Sequence, residues 1–253
     1  MKPALELFDA DGIAARGEEM HGWMRSVWNM PRSLTGDGVR DTLKFFSSIA
    51  PDLKIREIAS GTQVFDWQIP SEWRVKEAYI RDPEGNKIAN WKENNLHLVN
   101  YSSSFQGWLD LEELDQHLFF LPELPDAIPY VTSYYEKRWG FCITHRDRER
   151  LKPGRYEILV DSHHFSGHLT FADLVIPGRT SDEILFTSYT CHPQMANNEL
   201  SGPVLLMALA RALASREGTL HYTYRFVLTP ETIGSLAYLH SHLVHLKSKV
   251  KAG

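Results

Sequence analysis

The chain has 253 residues, 43% of them hydrophobic and 23% charged, and a net charge of −5. That is length enough for one large or two modest domains with a real core, in a composition that argues against disorder. No basic run is longer than "KSKVK" near the end, which argues against nucleic acid as a partner, and no apolar stretch approaches the ~20 residues that span a bilayer.

The first stretch, "MKPALELFDADGIAARGEEM", is too acidic for an export signal. The two cysteines, Cys142 and Cys191, each sit in apolar surroundings and form no disulfide framework. Both observations point to the cytoplasm, where the sequon Asn100-Tyr101-Ser102 carries no weight.

Met20, Trp23, Met24, Val27 and Trp28 recur at helical spacing, which predicts an amphipathic helix over 11–29, ended by Pro31. A second helix follows with Asp37 as N-cap and Val39, Leu43 and Phe46 on one face, stopped by Pro51. "LKIREI" alternates as a short strand. From Gly61 to residue 160 the texture changes to short runs rich in Trp, Tyr and Phe: "TQVFDW", "VKEAYI", "KIANW", "LHLVNY", "YVTSYY", "WGFCITH" and "YEILVD". Turn signals separate them, and one helical piece, "LDLEELDQHLFF", interrupts them. From "HLTFADLVIPG" the pattern is strand, helix, strand, helix. "EILFTSYT" predicts a strand buried on both faces. "LHYTYRFVLTP" predicts the next, with Tyr222, Tyr224, Phe226 and Leu228 on one side, and Leu236, Leu239, Leu243, Leu246 and Val250 mark a closing helix. The expected architecture is an α/β domain over 1–60 and 161–253, interrupted by a β-rich module over 61–160.

Three places could carry chemistry. His192 follows the carboxyl end of a predicted strand, where open α/β sheets place ligands, and a neutral imidazole is a common zinc ligand. On a strand, Cys191 and His192 point to opposite faces, so Cys191 is expected in the core. The cluster Asn197-Asn198-Glu199-Leu200-Ser201-Gly202 either contributes metal ligands or caps the next helix, with Glu199 suiting the positive end of the helix dipole. Glu231, after the second strand, is either a general base or a first-turn glutamate following Pro230, with Gly234 allowing a close backbone approach. Two successive strands thus deliver a His and a Glu to one sheet edge.

The segments "RSLTGDGVRDTL", "SGTQVFDWQIP", "DAIPYVTSYYEKRWGFC", "CHPQMANNELSG" and "PETIGSLAYL", in this order, resemble the aminopeptidase-like proteins of the DUF4910 family with an inserted DUF2172 domain. These are related to the M28 zinc aminopeptidases and are sometimes associated with polysaccharide biosynthesis. The resemblance implies a three-layer zinc-aminopeptidase-like α/β fold, with His192 as a zinc ligand and Glu231 as general base. Asn198 stands where the metal-bridging Asp is expected, with Glu199 beside it. Gln194 stands where an orienting Asp is expected, and Thr232 where a second metal-binding Glu is expected. An amide oxygen is a weaker, uncharged ligand. One zinc ion or none is therefore expected, held by His192 with Asn198 or Glu199. The family's remaining ligands would lie beyond the last helix, so a further strand is expected to be missing and an apolar sheet edge left bare, favouring a homo-oligomer.

Other residues have plainer readings. Cys142 and His145 are expected on opposite strand faces. "SHHFSGH" is expected as a hairpin loop, and His240, His242 and His245 as a solvated helix flank. Trp67, Trp73, Trp91, Tyr134, Tyr135 and Trp139 either stack on a ligand or form the core of a small β module. Two functions remain open: a zinc-dependent amide hydrolase acting on a peptide or aminoacyl compound, weakly active or inactive as given, or a non-catalytic descendant that binds a peptide or glycan-linked amine.

Overall fold

The computed structural model describes residues 10–216 and 220–253, so the acidic N-terminal stretch lies partly outside the described residues. In chain order the elements are α1 (Ala10–Val27), α2 (Asp37–Ile49), β1 (Lys54–Ala59), β2 (Gln63–Val64) and β3 (Trp67–Gln68). Then come β4 (Glu72–Arg81), β5 (Lys87–Asn90), β6 (Phe105–Asp110), α3 (Leu111–Asp115), β7 (Leu118–Phe119), β8 (Phe141–Cys142), α4 (His145–Arg150) and β9 (Arg155–Phe165). The last are β10 (His168–Ile176), β11 (Glu183–Tyr189), α5 (Ser201–Ala214), β12 (Thr223–Thr229), α6 (Ile233–Lys249) and β13 (Val250–Ala252). Contacts divide the chain into two compact units, one of residues up to Pro70 with those from His168 on, the other of Ser71–Gly167. No described helix is long and apolar enough to cross a membrane.

The first unit is built on a five-stranded sheet in the order β1-β10-β12-β11-β13. β11 runs parallel to β12 and β13, while β10 is antiparallel to β1 and β12. No strand from residues 62–160 enters this sheet, and Ala59 pairs with His168, so the chain leaves and re-enters it at neighbouring positions. Alternation along the strands sorts the two faces. Ala172, Leu174, Phe226 and Leu228 join Val39, Leu43 and Phe46 of α2 and Val204, Met207 and Ala210 of α5 in one apolar core, with Met20, Trp23 and Met24 of α1 against it. The opposite face carries Phe171, Asp173 and Arg225 towards α6, where the rings of Phe171 and Tyr238 meet edge to face at 5.6 Å. The result is a three-layer mixed α/β fold.

Several expectations change. Gly36, at φ 99°, is the N-cap of α2, and Asp37 is its first residue, where its charge still suits the helix start. The leucine period of the closing helix runs one position too far: Val250 leaves α6 and opens β13, pairing with Glu183 of β11. The edge expected to be bare is therefore covered there by a further strand. β13 reaches only Glu183 and Ile184, which is why β11 is half-buried along most of its length and not buried on both faces. His245 is not merely solvated, since its Nε2 lies 2.8 Å from Glu183 Oε1.

The second unit is a four-stranded antiparallel sheet, β5-β4-β9-β6. "SHHFSGH" is not a loop up to Phe165, because β9 runs through His163 and His164 paired with Arg74 and Trp73. "LHLVNY" and "YVTSYY" contribute only isolated bridges, Leu98 to Phe141 and Asn100 to Thr132. Of these aromatic residues Trp73 is buried and donates Nε1–H to the Ser102 carbonyl at 2.9 Å, and half-buried Trp139 stacks on Phe105 at 4.2 Å and His117 at 3.8 Å. Tyr135 alone of those six is open to water, at 84%.

Beneath the first unit's sheet a buried ion network joins three strands and α6. Arg225, 7% exposed, donates to both oxygens of Glu183 (2.7 and 2.9 Å) and to the Tyr238 hydroxyl (3.1 Å), and lies 3.6 Å from Asp173. Burial alone would raise the Glu183 carboxyl, but hydrogen bonds from Arg225 and His245 outweigh it and hold it below the ordinary range. Removing one partner strands the other charge, so Glu183→Ala should cost about 3 kcal/mol or more by urea unfolding. Because the folded value is lowered, the pair's contribution is complete at neutral pH. It should fade as acid titrates Glu183, giving wild type a steeper loss of stability below the ordinary carboxylate range than Glu183→Gln.

Candidate metal and general-base site

Parallel neighbours β11 and β12 end side by side at Tyr189 and Thr229. Thr190 N–H extends the ladder one step, to the Thr229 carbonyl at 2.9 Å. Beyond it the extended backbone stops. Gln194 takes φ 49°, and residues Ala196–Leu200 form a single π-helical turn that leads into α5. On the neighbouring strand Pro230, Glu231 and Thr232 turn the chain into α6, with Thr232 at φ 53°. Non-glycine residues in this region are strained and collect at working sites.

Because extended geometry ends before Cys191, the strand rule does not separate Cys191 from His192. Atoms of Cys191, His192 and Glu231 all lie within 4.8 Å of one another. Cys191 is fully buried, and its sulfur accepts the Glu231 backbone N–H at 3.3 Å. Burial, with Glu199 nearby, pushes its thiol well above the ordinary range, so it stays protonated. It serves as a shelf for the Glu231 turn.

The imidazole of His192, 8% exposed, stands between two groups. Its Nδ1 lies 3.3 Å from Asn198 Oδ1 and 3.3 Å from Glu199 Oε2. Its Nε2 lies 3.1 Å from Glu231 Oε2. The capping reading of Asn197-Asn198-Glu199 does not hold, since α5 has no side-chain cap and Glu199 sits inside the π turn with no exposure at all. Its Oε1 accepts the Cys191 N–H, while Oε2 is buried and accepts no hydrogen bond. Burial pushes the Glu199 carboxyl up, opposed by the charge of Arg32 and the Cys191 N–H. Glu231 precedes α6 and is not in its first turn, so the helix-start reading is also replaced. Its side chain is 48% exposed. Gln194 does not reach the imidazole; its amide nitrogen donates to Asn29 at 3.3 Å.

Sequence reasoning missed Arg32. It is 1% exposed, and its Nε donates to the His192 carbonyl at 2.9 Å, across 160 positions of chain. Burial pulls its guanidinium down to about 10, opposed by the charge of Glu199. A lone Arg between Pro31 and Ser33 has no periodicity or spacing to mark it. The only hint was its place in the first signature segment.

Cys142 is equally closed off, its thiol pushed up to about 12 by burial. Since thiolate is the reactive form, neither cysteine should react with a disulfide reagent in the native protein at neutral pH, and both should react in guanidinium. Gly234 lets the α6 start press on the Glu231 turn, as a Cβ there would lie 2.5 Å from Pro230 Cδ. Gly234→Ala should lower stability by about 1–3 kcal/mol in urea unfolding.

Residues 21–253 match the family described as Domain of unknown function (DUF4910). A Clostridium acetobutylicum protein named for polysaccharide biosynthesis and an aminopeptidase-like domain is 41% identical over 237 residues, covering 94% of this chain and 54% of the relative. A crystal structure of a Clostridium acetobutylicum chain named as a peptidase superposes with a TM-score of 0.89 at 41% identity, over 93% of this chain and 55% of that one. The chain thus spans about half the length of these relatives. Two more distant structures share the fold: an M28 peptidase precursor from Shewanella amazonensis (TM-score 0.57, 10% identity, 94% of this chain and 69% of that one) and a zinc aminopeptidase from Bacillus subtilis (TM-score 0.56, 12% identity, 88% and 63%). With a family match running from residue 21 to the last residue, the chain belongs to the DUF4910 family.

Proposed function

We propose that this chain carries the site of a zinc-dependent, aminopeptidase-like amide hydrolase, with His192, Asn198 and Glu199 holding the ion and Glu231 acting as general base. The observation that carries the reading is the 3.1 Å approach of His192 Nε2 and Glu231 Oε2 at the carboxyl ends of two adjacent parallel strands. The donor set fits zinc. An imidazole, a carboxylate and an amide oxygen are ligand types that zinc would accept, and Asn198 Oδ1 and Glu199 Oε2 each lie 3.3 Å from the His192 ring. Glu199 Oε2 is, besides, a buried carboxylate oxygen that nothing hydrogen-bonds.

When bound, zinc supplies Lewis acidity that lowers the pKa of water and polarises a scissile carbonyl. The chain's own residues do the rest. Glu231, open enough to meet solvent, takes a proton from the attacking water and returns it to the leaving amine. Its backbone is held by Cys191 Sγ and by the tight turn at Gly234. The substrate is a peptide or an aminoacyl compound, and the name of the Clostridium relative connects that protein to polysaccharide biosynthesis.

A second reading, a non-catalytic binder of the same ligands, is favoured by Asn198 and Thr232, neither of which offers a carboxylate. One experiment separates the two. Wild type dialysed against zinc should retain the metal and His192→Ala should not. Hydrolysis of a panel of aminoacyl amides should be slow but zinc-dependent, and Glu231→Gln should lower it by about 10²-fold or more. Wild type that releases all its zinc would end the hydrolase reading. Retained zinc without turnover on any substrate would favour the binder.

A further inference from the structure

We propose that Arg32 is the positioning residue of this site, fixing the backbone of His192 so that the imidazole is held between Glu199 and Glu231. The proposal rests on the reading of His192 as the metal-holding residue. Three elements meet at the guanidinium. Nη1 donates to the Val27 carbonyl at the end of α1 at 2.5 Å and lies 3.5 Å from Thr42 Oγ1 of α2, while Nε donates to the His192 carbonyl at 2.9 Å. The fork is planar and buried at 1% exposure, so its direction is set by the helices and not by water.

The approach is built into the backbone. A Cβ on Gly38 would lie 2.3 Å from the Pro31 carbonyl oxygen and 2.8 Å from Arg32 N, so only glycine lets the start of α2 press on this segment. Without Arg32 the His192 carbonyl would lose its buried donor. Lysine cannot substitute, because a single ammonium offers no planar fork.

The test uses Arg32→Met and Arg32→Lys in the chain as it stands, with Glu183→Ala as a control that weakens the fold away from the site. Ring-nitrogen NMR signals of His192, assigned by their loss in His192→Gln, are compared with zinc affinity from calorimetry. Both Arg32 variants should shift the His192 ring signals at unchanged far-UV circular dichroism, and weaken zinc binding by about tenfold or more, as loss of an outer partner does. Glu183→Ala should shift neither. If Arg32→Met does not fold, Arg32→Lys, which keeps the charge and loses the Nε donor, decides. Folded variants with wild-type ring signals would overturn the proposal. If wild type itself takes up no zinc, the metal reading fails while the ring signals still decide the role of Arg32.

Discussion

Glu199 has no exposure to water, and much of the site follows from how a carboxyl is kept in such a place. Burial of a carboxylate is costly unless it is paired and hydrogen-bonded. One oxygen is anchored by the Cys191 amide, the other faces His192, and Arg32 stands near with its guanidinium on the His192 carbonyl. The π turn at 196–200 is what brings Glu199 inward; an extra residue in a helical turn re-aims side chains, and such turns gather at functional sites. The His192 ring is thereby flanked at both nitrogens, by Asn198 and Glu199 at Nδ1 and by Glu231 at Nε2.

The other face of the same sheet solves a similar problem with a different outcome. Arg225 is surrounded by Glu183, Asp173, Tyr238 and His245, and its fork is engaged on both sides. Every charge there has a partner at hydrogen-bond or ion-pair distance. The network has the features of structure, with donors and acceptors matched. Around His192 the matching is looser, because Glu199 Oε2 has no hydrogen bond beyond its 3.3 Å approach to the imidazole and Glu231 is half open to solvent.

In the unit of Ser71–Gly167, aromatic side chains serve the same end by packing. Trp73 spends its N–H on the Ser102 carbonyl and stacks on Tyr101 at 5.6 Å, and Trp139 is held between Phe105 and His117. Large rings fill a thin sheet's core where aliphatic residues would leave gaps, so their abundance in this stretch reflects packing more than ligand stacking.

The sequence by itself determined a helix over about 11–29, a second from Asp37 towards Pro51, two successive strands after residue 182, and the arrival of His192 and Glu231 at one sheet edge. Those features depend on local periodicity and on the rule that ligands gather at strand carboxyl ends, both of which are written along the chain. It missed what depends on distance in space. The α6 period hid β13, since Val250 fits a helical repeat as well as a strand and only the open edge of β11 decides between them. Cys191 was placed away from His192 because alternation was assumed past the point where the strand ends. Glu199 stayed open between a cap and a ligand, since Asn, Glu and Ser before an apolar run have the same sequence whether the turn is α or π. Arg32 was invisible as a partner of His192, 160 positions away, because a buried guanidinium is justified only by carbonyls and carboxylates that the fold brings to it.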